Sequence, residues 1–249
     1  MPKLFNNGTN KQGLIVYGGE SSADYGMVVS EAPAYERPNR KQTVYTVPGK
    51  NGAVVFQEDA WEDVQRSYNV WLAYDMDTLV DKVNAFEAML NSKKGYQRLE
   101  DNFEPDVFRL AYYSGGDSFS NQMTAYGEAT INFTCRAERF YKAGEFPVTV
   151  TNGMYLANPT KFTAKPLIYI KGTGTVTVNI GGNTISAELD DFITIDCETM
   201  NAYRDYLGTI ENKNSKISGS FPQITPGMNI VGITGSVTKV EVTPRYFTI

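Results

Sequence analysis

Lys93-Lys94-Gly95-Tyr96-Gln97-Arg98-Leu99-Glu100-Asp101 is the stretch where the chain leaves a helical period and returns to strands. Just upstream, Leu79, Val80, Val83, Phe86, Met89 and Leu90 recur at three- and four-residue spacing, which predicts an amphipathic helix over about 78–92. Thr78 followed by Asp81 offers a variant capping box at its start. Lys93, Lys94 and Gly95 supply positive charge and a stop at its end. The rest of the sequence reads as strands, so the fold class is mainly β with one helix set inside a strand-rich half.

Working outward, strands are expected over 14–17, 27–29, 44–47, 53–56 and 66–74 before the helix, and over 96–99, 108–113 and 127–136 after it. Pro48-Gly49-Lys50-Asn51-Gly52 packs two turn signals between alternating runs, which predicts a β-hairpin. It lacks the Lys-Ser/Thr pair and following helix that a phosphate-cradling loop requires. Ser114-Gly115-Gly116-Asp117-Ser118 reads as a turn. Punctuation by Gly144, Pro147, Asn152-Gly153 and Asn158-Pro159 places a domain boundary near 146, dividing the chain into 1–146 and 147–249. The second part predicts strands over 166–171, 175–180, 183–189, 192–197, 230–233 and 239–243, with Gly181-Gly182 as a tight hairpin. Short, regularly spaced strands of this kind point to an antiparallel sandwich.

Composition removes several function classes. The chain of 249 residues contains no histidine, so the commonest general base and metal ligand is missing. Cys135 and Cys197 stand far apart and outside any C-x-x-C pair, which argues against zinc and dithiol redox motifs. A disulfide between them would bridge the two halves, and a reducing compartment disfavours it. The net charge of −5 falls entirely within 1–146, whereas 147–249 is neutral, so neither part is the basic surface that nucleic acid requires. Residues 1–12 are polar and read as an arm without the apolar core of an export signal, and no run is long enough to span a membrane.

The candidate sites are few. Asp190-Asp191 and Asp196/Glu198 are the carboxylate pairs closest to what a glycosidase needs, although nothing else supports that geometry. Glu100, Asp101, Glu104 and Asp106 form an acidic cluster, but EF-hand spacing is absent and a turn is the simpler reading. Trp61, Trp71, Tyr203 and Tyr206 are aromatics of the kind that stack on sugars or fill cores and interfaces.

Taken together, several motifs resemble the distal tail protein family of long-tailed bacteriophages. They are Val47-Pro48-Gly49-Lys50-Asn51-Gly52, the helix exit from Ser92 through Asp101, Phe108-Arg109-Leu110-Ala111, and Phe133-Thr134-Cys135-Arg136-Ala137-Glu138-Arg139-Phe140. Ile195-Asp196-Cys197-Glu198, Ser220-Phe221-Pro222, Pro226-Gly227, Asn229 and Val242-Thr243-Pro244-Arg245-Tyr246 extend the likeness through the second half. The resemblance implies a tail-tube-like β-sandwich with one helix, followed by a galectin-like antiparallel β-sandwich. It implies a homo-hexameric ring at the virion tail tip, made in the host bacterial cytoplasm, with its ring-forming surface in 1–146. Implied partners are the major tail tube protein, a tail-tip hub or tail-associated lysin protein, and receptor-binding or baseplate proteins. No catalytic, cofactor or metal residue and no membrane or direct nucleic-acid contact is implied. The alternative reading is a carbohydrate-binding adhesion module acting through 147–249, since fold and sugar site are separate claims.

Overall fold

The computed structural model describes residues 13–73, 76–116, 120–122 and 126–249. The polar arm over 1–12 and part of the expected turn at 114–118 lie outside the described residues. The chain divides into two compact units, one of residues up to Arg139 together with Ile249, the other Phe140–Thr248.

The first unit is built on a sheet ordered Glu20–Ser21, Ile15–Tyr17, Gln97–Asp101, Val107–Gly116, Tyr126–Tyr141, Val64–Ala73 and Val28–Val29, with Ser120–Gln122 beside Tyr126–Tyr141. A ten-pair antiparallel ladder in it runs from Tyr126 opposite Ala73 to Cys135 opposite Val64. Period-two alternation sends Tyr68, Val70 and Leu72 to the core face, where they meet Ile131 and Phe133 from the neighbouring strand. The helix Met76–Ser92 covers this face with Phe86, Met89 and Leu90.

Two details of the helix differ from the sequence expectation. It begins at Met76, so Thr78 lies inside the first turn instead of capping it. Val80 is 63% exposed and does not join the buried stripe. At 3.6 residues per turn it lies about 60° round from Val83, off the face that Phe86 and Leu90 define. Gly95 has φ +65° and sits three residues past Ser92, so it shapes the bend into Gln97–Asp101. The Gln97 side-chain amide donates to the Lys94 carbonyl at 2.7 Å across that bend. Lys93 reaches Glu20 at 2.5 Å.

In the second unit the order is Val148–Thr149, Gly227–Thr243, Leu167–Ile180, Phe192–Asp196, Asn201–Tyr206 and Thr209–Asn212. Tyr155–Asn158 pairs with Gly227–Thr243, and Asn183–Leu189 lies between Leu167–Ile180 and Ile217–Gly219. All these pairings are antiparallel. Ile168, Ile170, Val176, Val178 and Ile180 face a core shared with Ile193, Ile195, Val231, Val240 and Val242. The runs 166–171 and 175–180 are one strand, Leu167–Ile180, and 230–233 joins 239–243 in Gly227–Thr243.

Glycine explains that merger. A Cβ on Gly172 would stand 2.3 Å from the Ser236 carbonyl oxygen, and one on Gly235 would stand 2.4 Å from that of Thr175. The two glycines let the long strands curl against each other at the register shifts after Lys171 and Thr173, where sequence punctuation reads as two breaks. By contrast, Gly181-Gly182 forms the expected tight turn, with both φ positive and Ile180 opposite Asn183.

Candidate functional site

The expected carboxylate pairs are occupied by cationic side chains, Arg245, Arg204 and Lys171. Asp196 takes both guanidinium nitrogens of Arg245, at 2.7 and 3.3 Å, and accepts the backbone N–H groups of Glu198 and Thr199. Burial would raise its carboxyl, but these bonds and the Arg245 charge hold it below the usual carboxylate range. Glu198 stands 3.7 Å from the same Arg245. Asp190 is bonded to Arg204, and Asp191 lies 3.9 Å from Lys171. Two carboxylates committed in this way hold a strand end together and do not flank a substrate. Beside Asp190 lies a cavity of about 110 Å³ lined by Glu188, Phe192, Lys213 and Lys216, whose Lys216 and Glu188 pair at 2.8 Å.

The acidic cluster after the helix exit forms the expected turn between Gln97–Asp101 and Val107–Gly116, and it also binds arginines that the sequence did not point to. Asp101 is buried and binds Arg66 at 2.8 Å and the Tyr68 hydroxyl at 2.7 Å through one oxygen. Its other oxygen accepts the backbone N–H groups of Phe103 and Glu104, at 3.0 and 2.9 Å. Glu104 then receives Arg66 at 3.1 Å, Arg109 at 2.5 Å and Arg139 at 3.3 Å. Burial alone would raise the Asp101 carboxyl, yet the Arg66 charge and these donors keep it below its ordinary value. Burial pushes the Tyr68 phenol far up, so it stays a donor. Glu100 pairs with Arg98. Among the described residues no group of three or more His, Cys, Asp or Glu is placed to hold a metal ion.

Both thiols are free and buried, Cys135 in the first unit and Cys197 in the second. Burial raises them to about 11 and about 12, which keeps them protonated and unreactive at neutral pH. Of the four aromatics, Trp61 carries the Arg40 guanidinium over its ring at 4.9 Å, Trp71 and Tyr203 are half-buried, and Tyr206 is exposed.

The expected hairpin forms and runs further than the sequence indicated. Arg40–Thr46 and Ala53–Trp61 make a two-stranded sheet that pairs with no third strand among the described residues. Its register sets Val44 opposite Val55 on one face, and Tyr45 opposite Val54 and Thr43 opposite Phe56 on the other. The Tyr45 and Phe56 rings meet edge to face, 5.8 Å apart. Val44 is 52% exposed, Tyr45 56%, Val55 48% and Phe56 60%, so both faces of the ribbon present apolar side chains to solvent. A lone hairpin of this kind is marginally stable in water. Here it is the most distinctive unpartnered surface of the first unit.

No family model matches the chain, and no curated protein matches it. Solved structures do. The fold matches that of SPP1 Dit (gp 19.1), a protein described as a paradigm of hub adsorption apparatus in Gram-positive infecting phages. The TM-score is 0.74 at 13% identity, covering 96% of this chain and 100% of that one. Chains of the phage P2 baseplate in its activated conformation, with Ca and with Sr, match at a TM-score of 0.52 and at 12% and 11% identity, covering 93% of this chain and 96% of theirs. The likeness to distal tail proteins read from the helix exit and strand motifs is therefore borne out at the level of the fold.

Proposed function

We propose that this chain is a structural component of a bacteriophage tail tip, a distal tail protein that forms a ring of six copies between the tail tube and the tail-tip hub. The observation that carries the reading is the likeness to SPP1 Dit over 96% of this chain and the whole of that one. The sites agree with it. The carboxylates are spent on arginines that tie strands together, and the thiols are shielded. In this reading the protein is non-enzymatic and needs no cofactor. It meets the tube protein on one side and a hub or tail-associated lysin protein on the other. Its second unit, taken as galectin-like, offers an attachment platform for baseplate or receptor-binding proteins.

The ring-forming surface is assigned to residues 1–146. A closed ring uses a heterologous contact, in which one surface of a subunit meets a different surface of its neighbour. Reconstruction of a tail tip containing this chain should find six copies around the axis, with neighbours meeting chiefly through 1–146. A ring held by 147–249, or a symmetry that is not six-fold or a multiple of it, overturns the proposal. A glycan array probed with the full chain separates the carbohydrate-binding alternative, which requires specific sugar binding.

A further inference from the structure

We infer that Asn51 is a site of spontaneous self-modification, where the chain closes on its own backbone and turns a side-chain amide into an aspartyl or isoaspartyl carboxylate. The inference is independent of the ring reading above. It rests on two Asn-Gly pairs that the structure holds differently.

Asn51-Gly52 ends the turn between Arg40–Thr46 and Ala53–Trp61, and Asn152-Gly153 forms a turn ahead of Tyr155–Asn158. All four residues are exposed, and both glycines hold a φ of +82°. Neither glycine has an atom within 4 Å of where a Cβ would stand, so sterics do not separate the pairs. Hydrogen bonding does. Gly153 N–H donates to the Val231 carbonyl at 2.8 Å, and Asn152 Oδ1 accepts the Ile233 N–H at 2.9 Å. Among the described residues, the Gly52 N–H and the Asn51 side chain make no hydrogen bond. A third pair, Asn7-Gly8, lies outside the described residues.

The reaction needs only water and hydroxide. Gly52 N, having given its proton to hydroxide, attacks Asn51 Cγ, and with no Cβ on Gly52 the approach is open. A new C–N bond forms, the bond from Cγ to Nδ2 breaks, and the nitrogen leaves as ammonia after taking a proton from water. Water then opens the five-membered imide at either carbonyl. One opening gives an aspartyl residue, and the other gives an isoaspartyl linkage that routes the backbone through the former side chain. No electrons are gained or lost. At Asn152 the attacking nitrogen is spent on Val231 and the amide oxygen on Ile233, so the same step must wait for a local opening. Either product at Asn51 sets a negative charge beside Lys50, on the turn that fixes the register of the hairpin.

The test incubates the purified full-length chain at mildly alkaline pH, folded and in urea. Cleavage after glutamate and peptide mass spectrometry then follow each Asn-Gly pair separately. Electron-transfer fragmentation distinguishes the isoaspartyl from the aspartyl product. In the folded chain Asn51 should convert about tenfold or more faster than Asn152, because only the latter waits for local opening. Its rate should rise with pH, since the deprotonated backbone nitrogen is the nucleophile. In urea the two rates should converge, because the bonds that shield Asn152 are gone. Equal rates in the folded chain overturn the inference. So does an Asn51 that stays intact while both sites react in urea. A gap that persists in urea also overturns it, because the difference would then belong to the flanking sequence and not to the fold.

Discussion

Arg66 and Asp101 meet as a buried ion pair, with guanidinium Nη2 2.8 Å from carboxylate Oδ2 and each side chain less than 5% exposed. The two residues come from the strands Val64–Ala73 and Gln97–Asp101, which are not neighbours in the sheet order. Tyr68 closes a triangle by donating to the same Oδ2, and it receives Arg66 Nε at 2.7 Å. Through Glu104 the network also takes in Arg109 and Arg139. The helix-exit motif, Phe108-Arg109-Leu110-Ala111 and the Cys135–Arg139 segment, which read separately in the sequence, thus converge on one ionic cluster.

Breaking that pair should be costly. Asp101→Asn removes the charge that balances Arg66 and should destabilise the first unit by about 3–5 kcal/mol, the range for one partner deleted from a buried pair. Tyr68→Phe leaves both ions paired and removes one hydroxyl, so its effect should be smaller, about 1–3 kcal/mol. Urea unfolding followed by the fluorescence of Trp61 and Trp71 orders the two variants. The reverse order would mean that the hydroxyl, and not the ion pair, holds the cluster.

The same carboxylate sets an acid limit. Asp101 has a folded-state pKa below its ordinary value of 3.8, so the unfolded chain binds its proton more tightly than the folded one. Its contribution to stability is therefore fully present above about pH 4–5 and is lost as pH falls through the folded value. Asp196, held low by Arg245, acts in the same direction in the second unit. Unfolding midpoints measured from neutral pH downward should be flat until about pH 4–5 and then fall. In Asp101→Asn the decline should be shallower, because one of the groups that drives it is gone.

How much of this was legible in sequence depends on whether a residue acts locally. The helix face of Phe86, Met89 and Leu90 and the Gly181-Gly182 turn are set by neighbours within a few positions, and both form as read. Gly172 and Gly235 look like breaks along the chain, but each admits a carbonyl that lies 60 or more positions away, which no local pattern encodes. The arginine partners of Asp101 and Glu104 stayed hidden for the same reason. As a sequence Asp101 and Glu104 are turn acids, and the arginines that claim them come from 66, 109 and 139. Charge-bearing residues inside alternating strands, such as Arg66 between Val64 and Tyr68, were the available signal, because an arginine on a buried face demands a partner. The strands Tyr155–Asn158, Asn201–Tyr206 and Thr209–Asn212 escaped because polar and turn-forming residues outweigh β-branched ones there.

Two glycines at positive φ separate conformational from steric penalties. Gly95 has open space where a Cβ would be, so Gly95→Ala should cost only the left-handed penalty, about 1–2 kcal/mol. Gly95→Val should be worse through β-branching. At Gly181 a Cβ would stand 2.2 Å from the Gln223 carbonyl oxygen, a backbone atom that cannot swing aside. Gly181→Ala should therefore lower the unfolding midpoint of the second unit clearly more than Gly95→Ala lowers that of the first. Equal shifts would show that the turn at 181 relaxes freely.

The last prediction concerns where an independently folding second part begins. Sequence punctuation favours a fragment starting at 147, and whether that part folds alone is open to direct test. The backbone argues for an earlier start. Tyr141 N–H donates to the Tyr246 carbonyl at 2.9 Å, and Arg245 N–H donates to the Gly144 carbonyl at 2.8 Å. Gly144 lies so close that a Cβ there would stand 2.6 Å from Tyr246 N. The segment thus pins Arg245, which holds a φ of +57° and reaches Asp196, and it pins Tyr246, whose hydroxyl donates to the Ala157 carbonyl at 2.6 Å. A fragment of 140–249 should give a dispersed amide spectrum and a cooperative thermal transition. A fragment of 147–249 should melt lower, having lost two backbone bonds and the cover over Tyr246. Equal midpoints would show that 140–146 adds nothing to the second part, and a collapsed amide spectrum for both would show that it does not fold without the first.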